Sequence, residues 1–242
     1  MTVQQTDVAR RASFDAALST VRFHFQPIVS AREGRLTGYE ALARPEARFR
    51  GGAGGFVVRA RRLGRAHALA AALLRACDGA LSRLPGHLRL YMNVSRADLD
   101  HGILFALAPV ASRVILEIDQ QECIGMDPAS VAEYRRAGFR FAADDLRGGR
   151  GALSAIAALE PEIYKLDRSL LAGLESEPMR QAAIRALLRL GGRNGADVIC
   201  EGVERERERD LLLDLGADLM QGYLFGVARP LDRVRVGRGV AR

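Results

Sequence analysis

Short runs of apolar residues recur along the chain, with longer stretches of mixed character between them. The runs read as strands at 22–29, 36–43, 88–94, 114–118, 140–144, 163–166, 198–202 and 220–225. The intervening stretches read as helices, at 7–20 ahead of the first strand and then at 57–84, 97–107, 129–137, 151–159, 178–191 and 205–215. Strand alternating with helix predicts a parallel sheet with crossover helices. Eight such strands in 242 residues match the size of an α/β barrel of the TIM-like (β/α)8 type. One join breaks the pattern. Strands one and two are separated only by SAREGR at 30–35. That is too short for a parallel crossover and suits a hairpin. The expectation is therefore a TIM-like barrel with one antiparallel strand. An open doubly wound sheet is the alternative, but it calls for a Gly-rich phosphate loop after its first strand, and none is present.

Composition narrows the class. Hydrophobic residues are 48% and charged residues 27%, which excludes a disordered or fibrous chain. A chain this long buries enough surface to fold without a disulfide or metal staple. It reads as one barrel domain over 1–242, with an N-terminal helical segment at 1–20 and a basic tail at 231–242. Cys77, Cys123 and Cys200 form no CxxC pair, which argues against a zinc ribbon or disulfide framework. No apolar run is long enough for a transmembrane helix, and the N-terminus lacks a signal core, so a cytoplasmic location is expected. The net charge of +7 suggests a polyanionic partner. However, the 36 basic residues are 35 Arg and one Lys, a bias that fits GC-rich coding. With no basic stripe interleaved with aromatics, neither DNA nor RNA is expected as a partner. The loop carrying Gly51, Gly52, Gly54 and Gly55 matches neither a dinucleotide nor a Walker phosphate motif. Arg59, Arg61, Arg62 and Arg65, and the run Glu204–Asp210, read as solvated helix faces.

Polar residues then fall on the strand ends, where parallel barrels keep their chemistry. Strand one holds Gln26, strand two Glu40, strand three ends on Asn93, strand four on Glu117 and strand five on Asp144 and Asp145. Strand six holds Lys165 and Asp167, strand seven ends near Glu201, and strand eight opens with Gln221. Most stand in apolar runs, where an ionised group is costly unless paired or metal-bound. Carboxylates meeting in one mouth repel, and divalent cations are the simplest remedy. Carboxylate and amide oxygens favour Mg2+ or Mn2+ over zinc. His24, His67, His87 and His101 show no ligand spacing. Adjacent Asp144 and Asp145 suit a bridge between two ions, the usual device for in-line phosphoryl displacement. Taken singly, each acid fits a helix cap or an ion pair to one of many arginines equally well. Lys165, the single lysine, marks a place for a compact ammonium whose pKa shifts readily.

The ordered blocks resemble those of the EAL family of cyclic di-GMP phosphodiesterases. They are FQPIV at 25–29, YEALAR at 39–44, NVS at 93–95, LEI at 116–118, Asp144-Asp145, YKLD at 164–167, EGVE at 201–204 and QGYLFG at 221–226. The resemblance spans 21–230 and implies a barrel with one antiparallel strand. It implies a metal-dependent phosphodiesterase that hydrolyses cyclic di-GMP to linear pGpG by in-line water attack, with two Mg2+ or Mn2+ ions. Glu40, Asn93, Glu117 and Asp144 are implied as ligands of the first ion, and Asp144 and Asp145 of the second. Lys165 and Glu201 are implied to hold and activate the water, with Glu40 completing the catalytic set. Gln26, Arg44, Gln221 and Asp167 are implied as substrate contacts, Arg44 near a phosphate. A near-neutral ammonium at 165, or a metal-acidified water, would let the reaction run at neutral pH. A homodimer is a further expectation.

The sequence departs from the family pattern in the loop after strand five and its anchor. The family usually carries Glu where Gln120 stands and DFGTGYSSL where residues 145–153 read DLRGGRGAL. The segment 45–56 also differs. Loss of the anchor leads to a second reading: a catalytically impaired domain that binds cyclic di-GMP as a receptor or interaction module. In the softer version, Gln120 keeps the acceptor while the loop arginines find other acids.

Overall fold

The computed structural model describes residues 3–45, 56, 59, 60 and 62–233. Eight strands close a barrel in chain order: β1 (Arg22–Ser30), β2 (Arg35–Arg44), β3 (Arg89–Asn93), β4 (Val114–Asp119), β5 (Arg140–Leu146), β6 (Ile163–Leu166), β7 (Asp197–Cys200) and β8 (Leu219–Gln221). β1 runs antiparallel to both neighbours, with Gln26 opposite Glu40 on β2 and Ile28 opposite Gln221 on β8. The remaining pairs are parallel. The short 30–35 join is thus a hairpin, and β1 is the reversed stave.

Period-two alternation sorts each strand into two faces. Leu90, Met92, Leu116, Ile118, Phe141, Tyr164, Leu166, Val198 and Cys200 belong to the outer core, packed with buried residues of the helix Ala66–Leu81 such as Leu73, Cys77 and Leu81. The inner face forms a separate cluster of Ile28, Tyr91, Ile115, Ala142, Ile163 and Ile199, with Leu219 against it. β2 contributes Gly38 at this level: a Cβ there would lie 3.0 Å from the Tyr91 ring and 2.6 Å from the Arg89 carbonyl oxygen. The tyrosine therefore fills the space that a second side chain would need. This apolar plug fills the barrel interior at that level. All three cysteines are buried and free.

Three expected elements change. The helix expected at 97–107 is a short helix, Arg96–Asp100, then a 3-10 segment, Ile103–Arg113. Gly102 takes a left-handed φ of 66° between them, and Pro109 sits within the second piece. A regular α-helix cannot pass through the left-handed backbone at Gly102, and Pro109, just beyond the expected end, lacks the N–H that would continue one. The strand expected at 220–225 ends at Gln221, after which the chain turns. The helix expected at 57–84 is seen as Ala66–Leu81 after a turn at 63–64. The glycine loop at 51–55, Arg61, and Arg235, Arg238 and Arg242 of the tail lie outside the described residues. No helix among the described residues is long and apolar enough to cross a membrane.

Candidate functional site

Two positions along each stave from the apolar plug, toward the opposite rim, stands a polar side chain. Ile28 is followed on that face by Gln26, Gly38 by Glu40, Tyr91 by Asn93, Ile115 by Glu117 and Ala142 by Asp144. Ile163 is followed by Lys165, Ile199 by Glu201 and Leu219 by Gln221. The same alternation that hides the isoleucines therefore gathers these groups into one layer.

Lys165 is the centre of it, 1% exposed. Its Nζ lies 2.6 Å from Glu117 Oε1, 2.8 Å from Glu201 Oε1, 3.0 Å from Asp144 Oδ1 and 3.5 Å from Glu40 Oε2. Asn93 Nδ2 donates to Glu40 Oε1 at 2.9 Å and Glu117 Oε2 at 3.2 Å, and Gln221 Nε2 donates to Glu40 Oε2 at 2.7 Å. Burial by itself lowers the Lys165 pKa, but Asp144, Glu117, Glu201 and Glu40 together raise it well above its usual value. In the ion-free site these four acids therefore hold Lys165 as a cation. Burial pushes Glu201 up to about 8, with Asp144 and Glu40 adding and Lys165 opposing. Glu117 is raised well above the carboxylate range, first by burial and then by Glu40 and Asp144. Asp144 is raised, chiefly by burial. Glu40 is lowered: burial opposes, but Lys165 and the amides of Gln221 and Asn93 outweigh it.

Asp144 and Asp145 are neighbours on a strand, so an unbroken pleat would send them to opposite faces. The pairing of β5 with β6 shifts between Ala143 and Leu146, and Asp145 has a left-handed φ of 56°. This irregularity re-aims the second carboxylate. Ligand oxygens of Asp144, Asp145 and Glu201 consequently lie within 4.8 Å of one another. The following loop is held from two sides. Leu146 is fully buried and pairs with Leu166, and the Arg147 backbone N–H donates to Gln120 Oε1 at 3.1 Å. Gln120 thus supplies the anchoring acceptor. The Arg147 guanidinium lies 3.1 Å from Asp145 Oδ2 and 3.8 Å from Asp167 Oδ1. Burial, then Asp144, pushes Asp145 up to about 6 while Arg147 opposes.

Beside the layer opens a cavity of about 250 Å3 lined by Gln26, Glu40, Leu42, Arg168, Glu201, Gly202, Glu204, Gln221, Gly222 and Tyr223. Gln26 donates to the Gly226 carbonyl. Gln221 is mostly committed to Glu40. Arg44 sits at the rim end of β2, two residues beyond Leu42, its Nη1 donating to the Ala43 carbonyl; it is not among the lining residues. Asp167 caps the short helix Arg168–Leu171 by accepting from the Ser169 N–H. Arg168, Tyr223 and Glu204 were not singled out as site residues from the sequence. Arg168 pairs with Glu204, so this end of the 204–210 run faces the cavity and is not wholly a solvated face. No signal separated Arg168 from the other arginines. Gly222 shapes the wall: a Cβ there would lie 2.0 Å from the Val203 carbonyl oxygen, which accepts from the Leu224 N–H at 3.1 Å.

The layer suits divalent cations. One ammonium has three N–H groups to offer four carboxylates, and four charges against one leave a deficit of three when all are ionised. Glu117 Oε1 and Asp144 Oδ1 meet the ammonium as ions but outside hydrogen-bonding geometry, and Gln221 Oε1 is buried without a partner among the described residues. An all-oxygen donor set short of positive charge fits hard cations.

Comparison with known proteins agrees with this architecture. The chain is 34% identical over 131 residues to the cyclic di-GMP phosphodiesterase RocR of Pseudomonas aeruginosa, covering 52% of this chain and 32% of that protein. It spans about a third of the length of the curated relatives it matches. The solved structure of the EAL enzyme Bd1971 in its cAMP- and cyclic-di-GMP-bound form shares the fold, with a TM-score of 0.81 at 22% identity, over 96% of this chain and 69% of that one. A manganese and cyclic-di-GMP complex of Klebsiella pneumoniae BlrP1 aligns with a TM-score of 0.77 at 25% identity, over 86% of this chain and 56% of that one. The family model for the EAL domain matches residues 9–230, the whole barrel, and the chain belongs to that family.

Proposed function

We propose that this chain hydrolyses cyclic di-GMP to linear pGpG with the help of two divalent cations, Mg2+ or Mn2+. The observation that carries the reading is the charge deficit around Lys165: four carboxylates share one buried ammonium beside an open cavity. Glu40, Asn93, Glu117 and Asp144 would hold one cation, and Asp144 and Asp145 would hold the other. When bound, such ions lower the pKa of the attacking water and offset charge on the phosphodiester oxygens. The chain's own residues do the rest. Lys165 would orient the water once bound ions draw carboxylates away from it, and Glu201, 2.8 Å from the Lys165 ammonium, would take the proton. Its carboxyl, pushed up to about 8 in the ion-free site, would lose its proton as the ions load and then serve as the acceptor. The cavity is smaller than the roughly 300–1,000 Å3 of common small-molecule sites. It therefore takes the reacting part of the ligand, and Tyr223, 67% exposed on the rim, offers a face to a guanine base. Gln26 and Gln221 present amides to the bound end, and Arg44 and Asp167 act further out on the rim.

The test is incubation with cyclic di-GMP and Mg2+ or Mn2+, followed by chromatography. The expected result is pGpG that vanishes with EDTA and returns with the metal. Arg147's contact with Asp145 favours the second reading, a receptor; ligand binding without product would establish that one instead.

Loading with Mn2+ is expected to release protons at pH 7 and to tighten as pH rises from about 6 to about 8. The bounds come from Asp145, pushed up to about 6, and Glu201, pushed up to about 8. A ligand carboxyl that holds a proton must give it up to take an ion, and the ion's charge drives the proton from a carboxyl beside it such as Glu201, so raising the pH through these pKa values favours the ion. Calorimetry in buffers of different ionisation enthalpy reads the protons directly; an affinity independent of pH would contradict this account of the charges.

A further inference from the structure

We propose that the Arg147 guanidinium is a built-in competitor for the second divalent cation, holding the carboxylate that this ion needs. This rests on the two-cation reading above and adds a control to it that belongs to this chain's own loop.

Three features place the guanidinium there. Arg147 Nη2 lies 3.1 Å from Asp145 Oδ2, and Nε lies 3.8 Å from Asp167 Oδ1. Asp145 is the residue turned out of the pleat by its left-handed backbone, so its carboxylate shares a cluster with Asp144 and Asp145's other near neighbour, Glu201. The backbone beneath Arg147 is clamped, by Gln120 Oε1 on its N–H and by the buried Leu146 just before it. The side chain itself is 56% exposed. A guanidinium beside a carboxylate supplies a permanent positive charge and a directional donor fork. A divalent ion approaching Asp145 meets that charge and must displace those donors. Because the pair is half exposed, the contact is weak and reversible. The competition is therefore graded: low ion concentration leaves Asp145 with Arg147, and higher concentration releases it. Gln120 fixes the loop in either case. Of the first ion's ligands, Glu40, Asn93 and Glu117 share no hydrogen bond or ion pair with Arg147 among the described residues, and Asp144 is the ligand common to both ions.

The experiment is a Mn2+ titration of the intact chain, following free Mn2+ by electron paramagnetic resonance. Wild type is expected to show a tight class of site and a weaker one. Arg147→Gly and Arg147→Ala are each expected to tighten the weaker class about tenfold, leaving the tight class within twofold. Using both variants separates loss of the charge from the added backbone freedom of glycine. Arg150→Ala removes an exposed arginine three residues on and is expected to change neither class. At ~0.5 M salt, where surface charges are screened, the difference between wild type and Arg147→Ala is expected to shrink. Unchanged binding in both Arg147 variants, or an equal shift in Arg150→Ala, overturns the proposal while leaving the two-cation reading intact. No Mn2+ binding in any variant overturns that reading, and this proposal with it.

Discussion

Replacing Lys165 with methionine is expected to lower the stability of the ion-free protein by about 3–5 kcal/mol, the usual cost of leaving buried charges without their partner. The side chain is 1% exposed and lies within 3.5 Å of four carboxylates. Methionine fills much of the volume, so the loss comes from the missing charge and not from a cavity. The four acids can recover only by taking up protons, so the deficit is expected to be smaller at pH 5 than at pH 8. Arginine is not expected to rescue the position. A planar guanidinium needs room for a wide fork, whereas the compact ammonium meets all four oxygens from one point. Denaturant melts in EDTA across pH measure the effect, and Mn2+ is expected to restore part of it. A loss below about 1 kcal/mol, the level of an exposed ion pair, would show that the acids do not depend on this cation.

Asp144→Asn is expected to separate function from stability. Asp144 is proposed to touch both ions. Residues that merely support a metal ligand are worth 10–100-fold in affinity or activity, so loss of a shared ligand is expected to exceed about 10²-fold in kcat/KM. Without ions, however, the same carboxylate is one of several crowded around a single ammonium, and burial raises its pKa. Asparagine keeps an oxygen to face Lys165 and removes a repelling charge. The variant's melting temperature in EDTA is therefore expected to equal or exceed that of wild type, and Mn2+ is expected to raise it less. This is the signature of a site whose geometry serves ligand binding at the expense of stability. A variant that is both inactive and markedly less stable in EDTA would mean that Asp144 is there to hold the barrel together.

The sequence by itself determined the barrel and the layer of chemistry within it. Both follow from a local rule: side chains alternate along a strand, so Ile115 and Glu117, or Ile163 and Lys165, must share a face wherever the strand goes. The hairpin at 30–35 was likewise legible, because six residues cannot carry a parallel crossover. Composition made Lys165 conspicuous, since every other basic side chain in the chain is arginine. Only the tertiary structure decided the rest. Whether Asp144 and Asp145 act together depends on a break in the β5–β6 pairing and a left-handed backbone at Asp145, neither of which leaves a mark in the order of the letters. Gln120 anchors the loop because it meets the Arg147 backbone 27 positions away. The charge state of Lys165 depends on acids contributed by four other staves. Arg168 looked like any other arginine until the chain brought it against Glu204 at the cavity wall. Alternation is a property of neighbours along the chain, whereas pKa values and partnerships are set by distances between residues far apart in it, and those distances exist only once the barrel closes.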